Sequence, residues 1–190
     1  MQTTNMMIVG VGGQGSLLAS KLLGTLFVDE GYDVKVSEVH GMSQRGGSVV
    51  TYVRFGDKVF SPLVEEGEAD YILSFEKLEA ARWASCLKEG GHIIVNTQEI
   101  DPMPVITGAA EYPSSILDEL TAKGVSIDAV DALSIAEKAG SSKAVNIVLL
   151  ARFAKHSGIP YESWISAIEK TVAPKFVEMN KKAFDMGYNA

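Results

Sequence analysis

Two kinds of hydrophobic pattern alternate along the first two thirds of the chain. Short apolar runs bounded by glycine, proline or polar residues are typical of strands. They predict six strands, at residues 6–9, 34–36, 48–55, 71–75, 93–95 and 125–130. After the first strand, Leu18, Leu22 and Leu26 recur at every fourth position, which predicts one face of a helix that ends near Gly31. Further helices are expected at 76–88 and 114–124.

After Asp131 the helical pattern alone remains. Asp131 is expected to cap a short helix, and residues 143–156 are expected to form a longer one. Pro160 and Pro174 each mark the start of a further helix, because proline is tolerated in the first turn of a helix but not in its interior.

The order of these elements predicts an α/β fold, in which a doubly wound, mostly parallel, Rossmann-like sheet carries helices on both faces. No linker-like composition separates the all-helical last third from the rest of the chain. We therefore expect a single domain over residues 1–190, with a sheet core at 1–130 and a helical extension at 131–190 packed on it.

Charge and composition narrow the possible partners. The net charge of −7 argues against nucleic-acid binding, which needs clustered lysine and arginine. No apolar run approaches the roughly 20 residues that span a bilayer, so no membrane contact is expected. The first residues lack the pattern of a secretory signal, and a single cysteine cannot form an internal disulfide. Both features favour a cytoplasmic location.

The residues that ligate metals are few and dispersed. Cys86 is the single cysteine, whereas an iron–sulfur cluster needs several thiolates. His40, His92 and His156 lack the spacing of zinc ligands. We therefore expect no metal site, and we interpret Cys86 as a packed residue of a helix, not as a nucleophile.

The first strand runs directly into the sequence GVGGQG. Gly10, Gly12 and Gly15 have the G-x-G-x-x-G spacing of dinucleotide-binding loops, in which glycine permits a tight turn and close approach to a phosphate. The N–H groups at the start of the next helix favour an anion, and Glu38, beyond the second strand, is placed to hold a ribose hydroxyl. The same glycines could serve simply to pack that helix on the sheet. Ser16 stands where a P-loop has its lysine, which excludes that type of phosphate site.

A second loop, at residues 37–48, reads SEVHGMSQRGGS and joins the second and third strands. It holds three glycines, one arginine and several hydrogen-bonding side chains. If it leaves the carboxyl end of the second strand, it lies beside the glycine loop. Loops with this composition more often bind something than merely connect strands. The alternative is a solvated turn with an incidental arginine.

The two loops belong to a longer series of motifs: GVGGQG, then EVHGMSQRGGSVVTYVRFGD, then SPLV. In this order and spacing they resemble the gamma-type domain of the 2-oxoacid:ferredoxin oxidoreductases. The E-V-H-G-M-x-Q-R-G-G form is most similar to the beta subunits of indolepyruvate oxidoreductases. The resemblance continues through Ala69, Asp70, Phe75, Glu76, Glu79, Ala80, Arg82, Tyr112, Pro113, Asn146, Asn180, Ala183, Phe184 and Gly187. One departure is Ala151-Arg152, where the family pattern has a small residue followed by an apolar one.

The resemblance implies an enzyme that decarboxylates a 2-oxoacid oxidatively with coenzyme A and gives an acyl-CoA, carbon dioxide and reduced ferredoxin. Thiamine diphosphate with magnesium supplies the carbanion chemistry, and iron–sulfur clusters carry the electrons. This chain lacks the cluster cysteines and the G-D-G motif of thiamine sites, because Gly56-Asp57 is followed by lysine. The resemblance therefore places these cofactors on an alpha subunit, with ferredoxin reached through the complex. This chain is expected to bind none of them and to be inactive alone.

The candidate site for a ligand or the partner subunit consists of residues from both loops. They are Gly10, Gly12, Gly13, Gln14, Gly15, Glu38, His40, Gly41, Met42, Gln44, Arg45, Gly46 and Gly47. Arg45 is the principal candidate, because a guanidinium binds a carboxylate or a phosphate through two hydrogen bonds, and both a 2-oxoacid and coenzyme A offer such groups. Its alternative role is an ion pair that holds the loop. No catalytic residue is assigned.

The other polar side chains of the two loops have several possible roles. Glu38 could bind a ribose, contact thiamine across an interface or cap loop backbone, and the sequence does not rank these roles. His40 is expected to hold the loop by a hydrogen bond more than to transfer a proton. Gln14 is expected to contact the second loop or a ligand, and Met42 to pack against the partner.

Two other functions compete with the oxidoreductase subunit. One is a free-standing NAD(P)-dependent dehydrogenase of the Rossmann type, and the other is a regulatory nucleotide-binding module. Nothing after residue 131 offers a catalytic lysine, histidine or tyrosine in a convincing setting, which disfavours the dehydrogenase.

Overall fold

The computed structural model describes residues 3–38, 43 and 45–190. Four of the candidate site residues lie outside this part of the chain: His40, Gly41, Met42 and Gln44.

Within the described residues, six strands form one sheet in the order β2-β3-β1-β4-β5-β6. The strands are β1 (Thr4–Val11), β2 (Asp33–Glu38), β3 (Ser48–Gly56), β4 (Ala69–Ser74), β5 (Leu87–Asn96) and β6 (Ser126–Val130). The helices are α1 (Ser16–Asp29), α2 (Lys77–Trp83), α3 (Met103–Ile106), α4 (Ile116–Ala122), α5 (Ala132–Ala139), α6 (Val145–Ser157), α7 (Tyr161–Thr171) and α8 (Val177–Asn189).

The sheet is mostly parallel, as the sequence predicted. β1, β4, β5 and β6 pair in parallel, whereas β3 runs antiparallel to both of its neighbours, β1 and β2. β2 is consequently parallel to β1 but separated from it by β3. The carboxyl ends of β1 and β2 therefore lie on one edge of the sheet, which we call the carboxyl edge, together with the start of β3.

Alternating residues of the central strand β1 face two apolar layers. Met6 and Ile8 pack in the larger layer with residues of α1, α5, α6, α7 and α8. Met7 and Val9 face the other layer, where α2 and α4 pack. All four side chains are fully buried, which explains the continuous apolar run in the sequence. The helices of the last third of the chain thus share a core with the first helix and the sheet.

Most helix boundaries agree with the sequence pattern, and two do not. Asp131 caps α5 by accepting a hydrogen bond from the Ser134 N–H at 3.0 Å, as predicted. The helix expected at 76–88 was predicted too long, because α2 ends at Trp83 and Leu87 already pairs with Ala69 in the sheet. Strand pairing there overrides the helical periodicity of the sequence.

The start of the helix predicted at 114–124 also differs. α4 begins at Ile116, and the preceding residue, Ser115, makes no capping hydrogen bond to the backbone. The Ser115 hydroxyl instead donates to Glu119 at 2.5 Å. No described helix has the length and apolar character to cross a bilayer.

Candidate functional site

The glycine loop joins β1 to α1 at the carboxyl edge. Gly13 and Gly15 have φ angles of 100° and 92°, in the left-handed region that side chains disfavour. A Cβ atom on Gly10 would lie 2.9 Å from the Phe75 Cβ, so this position is restricted to glycine by packing. Close packing therefore explains Gly10, while the backbone turn explains Gly13 and Gly15.

Gln14 holds the glycine loop to the sheet. Its Oε1 accepts from the Val11 N–H at 2.7 Å, and its Nε2 donates to the Phe75 carbonyl at 3.1 Å and to Gln98 Oε1 at 3.4 Å. The expected contact with the second loop is not made with the described residues of that loop. The side-chain amide is instead used within the fold, where it ties the glycine loop to the chain that follows β4 and β5.

The second loop returns to the sheet directly against the glycine loop. The Gly12 N–H donates to the Gly47 carbonyl at 2.9 Å, and Val11 pairs with Ser48 at the start of β3. A Cβ atom on Gly47 would lie 2.9 Å from the Ser43 Cα. The predicted proximity of the two loops is thus confirmed, and it depends on a glycine at position 47.

Glu38 ends β2 and is bound to the first helix. Its Oε1 accepts a hydrogen bond from the buried Ser20 hydroxyl at 2.5 Å. In dinucleotide-binding folds the acidic residue follows a strand that adjoins the first strand. Here β3 intervenes, so Glu38 is two strand spacings, roughly 9–10 Å, from β1. Its observed contact anchors α1, a role that the sequence did not suggest.

Arg45 is exposed at the carboxyl edge. Its side chain makes no hydrogen bond or ion pair with any residue of the described ranges 3–38, 43 and 45–190. The alternative role of Arg45, an ion pair that holds the loop, therefore has no partner in these ranges. The guanidinium remains available for an anion of a ligand or of another subunit.

Clefts lie on both sides of the contact between the two loops. One of about 330 Å³ is lined by Gly12, Gly13, Gly15, Ser16, Leu17, Val49 and Thr51. Another of about 300 Å³ lies toward α2, and its lining includes Gly46, Gly47, Ser48, Glu76 and Glu79. The first cleft contains the N–H-rich start of α1, where an anion is favoured.

A cluster of buried carboxylates supports the second cleft. Glu76 caps α2 by accepting from the Glu79 N–H at 2.9 Å, and it also accepts from the Tyr112 hydroxyl. Glu79 accepts a hydrogen bond from the Ser48 hydroxyl and lies 3.3 Å from Arg82. Burial raises the pKa of Glu79, although Ser48 and Arg82 oppose that shift. The cluster links the start of β3, and hence the second loop, to α2.

Two buried asparagines also hold backbone segments together at the carboxyl edge. Asn96 donates to the Phe75 carbonyl at 3.1 Å and accepts from the Ala132 N–H at 3.1 Å. Asn146 donates to the Gly15 carbonyl at 3.2 Å from the start of α6.

Four residues that support the carboxyl edge are not among the candidate site residues predicted from the sequence: Glu76, Glu79, Tyr112 and Asn146. These four residues nevertheless belong to the motifs that carry the family resemblance. That resemblance was the available signal, and the structure gives each of them a supporting role at the carboxyl edge.

Cys86 has the environment of a packed residue. It is partly buried, and burial raises the pKa of its thiol above the ordinary value. A raised pKa lowers the thiolate fraction at neutral pH, which disfavours nucleophilic chemistry.

Comparison with known proteins agrees with this geometry. The chain matches the family described as pyruvate ferredoxin/flavodoxin oxidoreductase over residues 5–190. It is 44% identical to indolepyruvate oxidoreductase subunit IorB of Pyrococcus horikoshii, over 100% of this chain and 96% of that protein.

Solved structures share the fold. The gamma subunit of a keto/oxoacid ferredoxin oxidoreductase from Geobacter sulfurreducens superposes with a TM-score of 0.73 at 24% identity, over 98% of this chain and 96% of that one. A 2-oxoglutarate:ferredoxin oxidoreductase from Magnetococcus marinus, solved with 2-oxoglutarate, coenzyme A and succinyl-CoA bound, gives 0.72 at 15% identity. That alignment covers 100% of this chain and 31% of the longer one. On the family match over almost its whole length and the 44%-identical relative, the chain belongs to the pyruvate ferredoxin/flavodoxin oxidoreductase family.

Proposed function

We propose that this chain is the small subunit of a 2-oxoacid:ferredoxin oxidoreductase that acts on indolepyruvate or another aryl 2-oxoacid. The choice of substrate is supported by the full-length relative named indolepyruvate oxidoreductase subunit IorB. In the proposed reaction a 2-oxoacid and coenzyme A give an acyl-CoA and carbon dioxide, and the two electrons released reduce ferredoxin. A cytoplasmic location is part of the proposal.

The cofactors of the proposed reaction do not fit this chain. An iron–sulfur cluster needs several thiolates, and Cys86 is the single cysteine of the sequence. The sequence also has no G-D-G motif with which to hold magnesium and the diphosphate of thiamine. We therefore assign both cofactors to a partner alpha subunit, which also passes the electrons to ferredoxin.

The observation that carries the proposal is the meeting of the two loops at the carboxyl edge. The hydrogen bond from Gly12 to Gly47 joins them, and Arg45 lies exposed beside this contact. We propose that this edge faces the partner subunit and binds an anionic group of coenzyme A or of the 2-oxoacid. Arg45 would hold that group through two hydrogen bonds, and the N–H groups at the start of α1 offer a second anion-binding position.

The free-standing dehydrogenase is a poorer explanation of the same edge. Its ribose-binding acid has to stand on a strand next to β1, whereas Glu38 lies beyond β3 and accepts a hydrogen bond from Ser20. We retain no second candidate function.

The experiment that tests this function separates the chain from its partner. The purified chain, assayed with indolepyruvate, coenzyme A, thiamine diphosphate, magnesium and ferredoxin, should show no turnover. Addition of the alpha subunit from the same organism should restore acyl-CoA formation, with indolepyruvate preferred to pyruvate and 2-oxoglutarate in kcat/KM. Turnover by the chain alone would contradict the assignment of the cofactors. A preference for pyruvate would contradict the assignment of the substrate.

A further inference from the structure

Two of the three histidines, distant in the sequence, meet beside the middle of β5 and the amino end of β6, away from the glycine loop. His92 lies on β5, Asp128 on β6 and His156 near the end of α6. The centroids of the two imidazole rings are 4.3 Å apart. One ligand atom from each histidine and one carboxylate oxygen of Asp128 all lie within 4.8 Å of one another. Two nitrogens and one oxygen therefore converge from three separate elements.

His92 has one ring nitrogen held by a hydrogen bond and the other without a partner among the described residues. Its Nδ1 lies 2.7 Å from the Ser126 hydroxyl, while its Nε2 is buried without a hydrogen-bond partner among the described residues. When Nδ1 donates to Ser126, Nε2 presents a lone pair, and such a second hydrogen bond is how metal-bound histidines are usually fixed. A buried polar atom without a partner is costly, and a bound ion would satisfy it.

Asp128 supplies a negatively charged oxygen. Arg152 donates from Nη2 to Oδ1 at 2.8 Å and from Nε to Oδ1 at 3.2 Å and Oδ2 at 3.0 Å. Oδ2 also lies 3.4 Å from His156 Nε2, so it is the oxygen on the side of His156, and a metal there would share this carboxylate with Arg152.

We propose that His92, Asp128 and His156 form a binding site for a divalent transition metal, of which zinc is the best match to two imidazoles and one carboxylate. Water would complete the coordination. Ligand atoms bound to a tetrahedral zinc at about 2.1 Å lie about 3.4 Å apart, so a pair as far apart as 4.8 Å has to close by about 1.4 Å. His156 can move inward, because its side chain is 34% exposed at the end of α6. The bound ion would tie β5 and β6 to α6.

This proposal revises the expectation of no metal site. That expectation rested on the dispersal of the histidines along the sequence, and the fold removes this premise for His92 and His156. The proposal does not depend on the proposed oxidoreductase function, because His92 lies four residues, roughly 13 Å, before the carboxyl end of β5 and the test uses no activity.

The test is a calorimetric titration of the full chain, stripped of metals, with zinc chloride. We expect one equivalent to bind with a Kd at or below about 10 μM. A hundredfold excess of zinc over this Kd should raise the Tm by at least about 5 °C. Cobalt bound at the same site should give the visible absorption of a tetrahedral centre.

His156→Ala is the decisive variant, because this exposed side chain can be removed with little effect on folding, and it should weaken zinc binding at least tenfold. His92→Gln tests the buried ligand in the same way. Lys155→Ala, next to His156 and exposed, and Cys86→Ala, which removes the thiol, are controls that should bind zinc normally. Absence of zinc binding to the wild-type chain, or binding unchanged in His156→Ala, would overturn the proposal.

Discussion

At the scale of single residues, the polar side chains of the carboxyl edge divide into two groups. Gln14, Asn96 and Asn146 use their amides on backbone atoms of the fold, and Glu76 caps a helix. These side chains hold the edge in shape. Arg45 differs, since it has no partner among the described residues and is exposed. Because the guanidinium of Arg45 makes no hydrogen bond or ion pair with the described residues, it is the principal candidate for binding an anion of a ligand or of the partner subunit.

The first prediction concerns Arg45→Ala in the reconstituted complex. Loss of a charge-assisted hydrogen bond costs roughly 1.5–3 kcal/mol, which corresponds to about a ten- to hundredfold lower kcat/KM. The Tm of the chain should be nearly unchanged, because Arg45 has no described partner to lose. Steady-state kinetics and thermal unfolding should be measured on the same preparation.

The matched control is Lys123→Ala, which removes an exposed cation after α4 and should leave the kcat/KM unchanged. Arg45→Lys keeps the charge but not the paired hydrogen bonds, so it should recover part of the loss. Normal kinetics with a lowered Tm in Arg45→Ala would assign Arg45 a structural role, and its place in the candidate site would be withdrawn.

At the scale of elements, the packing of β1 against the end of β4 explains why Gly10 cannot be replaced. Gly10 is the buried penultimate residue of β1, and a Cβ atom there would lie 2.9 Å from both Phe75 Cβ and Gln14 Oε1. The contact with Phe75 joins β1 to the end of β4, so a side chain at position 10 would push apart two neighbours in the sheet.

The second prediction is that Gly10→Ala lowers the free energy of unfolding by about 1–3 kcal/mol, the usual cost of overpacking. Gly24→Ala is the control within α1, where nothing lies within 4 Å of the added Cβ. Since glycine is unfavourable inside a helix, Gly24→Ala should stabilise the protein by roughly 0.5–1 kcal/mol. Urea unfolding of both variants measures the difference, and equal stability of the two would contradict the packing argument.

The elements also show what the sequence pattern can and cannot predict. Apolar runs and periodicity located the six strands of the described part of the chain, because burial on one or both faces of a sheet leaves a direct mark on the sequence. The direction of β3 leaves no such mark, so its antiparallel insertion between β1 and β2 was not foreseen. That insertion moves Glu38 away from β1 and weakens the dinucleotide interpretation.

The position of the candidate site in the fold could be predicted from the sequence, but the hydrogen-bond partners of its side chains could not. The proximity of the two loops was expected from the carboxyl end of β2, and the hydrogen bond between Gly12 and Gly47 confirms it. The contact itself is made because β3 starts beside the end of β1. The partners of Gln14 could not be derived, because they depend on β4 being the neighbour of β1. The proximity of His92 to His156 likewise required the packing of α6 against β5, which no local pattern encodes.

At the scale of the whole molecule, the last third of the chain is part of the apolar layer that covers one face of the sheet. Trp164 on α7 is fully buried and packs against Phe153 of α6 and Phe184 of α8. The same layer includes Met6 and Ile8 of the central strand. We propose on this basis that residues 1–190 form a single domain, in which the helical extension cannot unfold without exposing the sheet.

The third prediction tests that single domain with the two tryptophans, which lie in different layers. Trp83 belongs to the layer of α2 and α4, whereas Trp164 belongs to the layer of the C-terminal helices. Trp164→Phe leaves Trp83 as the fluorescent reporter of the layer of α2 and α4. Trp83→Phe leaves Trp164 as the reporter of the layer of the C-terminal helices. Within each variant, the urea midpoint from fluorescence should coincide with the midpoint from far-ultraviolet circular dichroism, as for a two-state transition.

The absolute stabilities of the variants will differ, because replacing the buried Trp164 leaves a cavity. The two midpoints are therefore compared within each variant and not between variants. If the Trp164 signal in Trp83→Phe changed at a lower urea concentration than the dichroism, the helical extension would unfold separately from the sheet. The chain would then consist of two units, and the packing of α6, α7 and α8 would be a docking interaction between them.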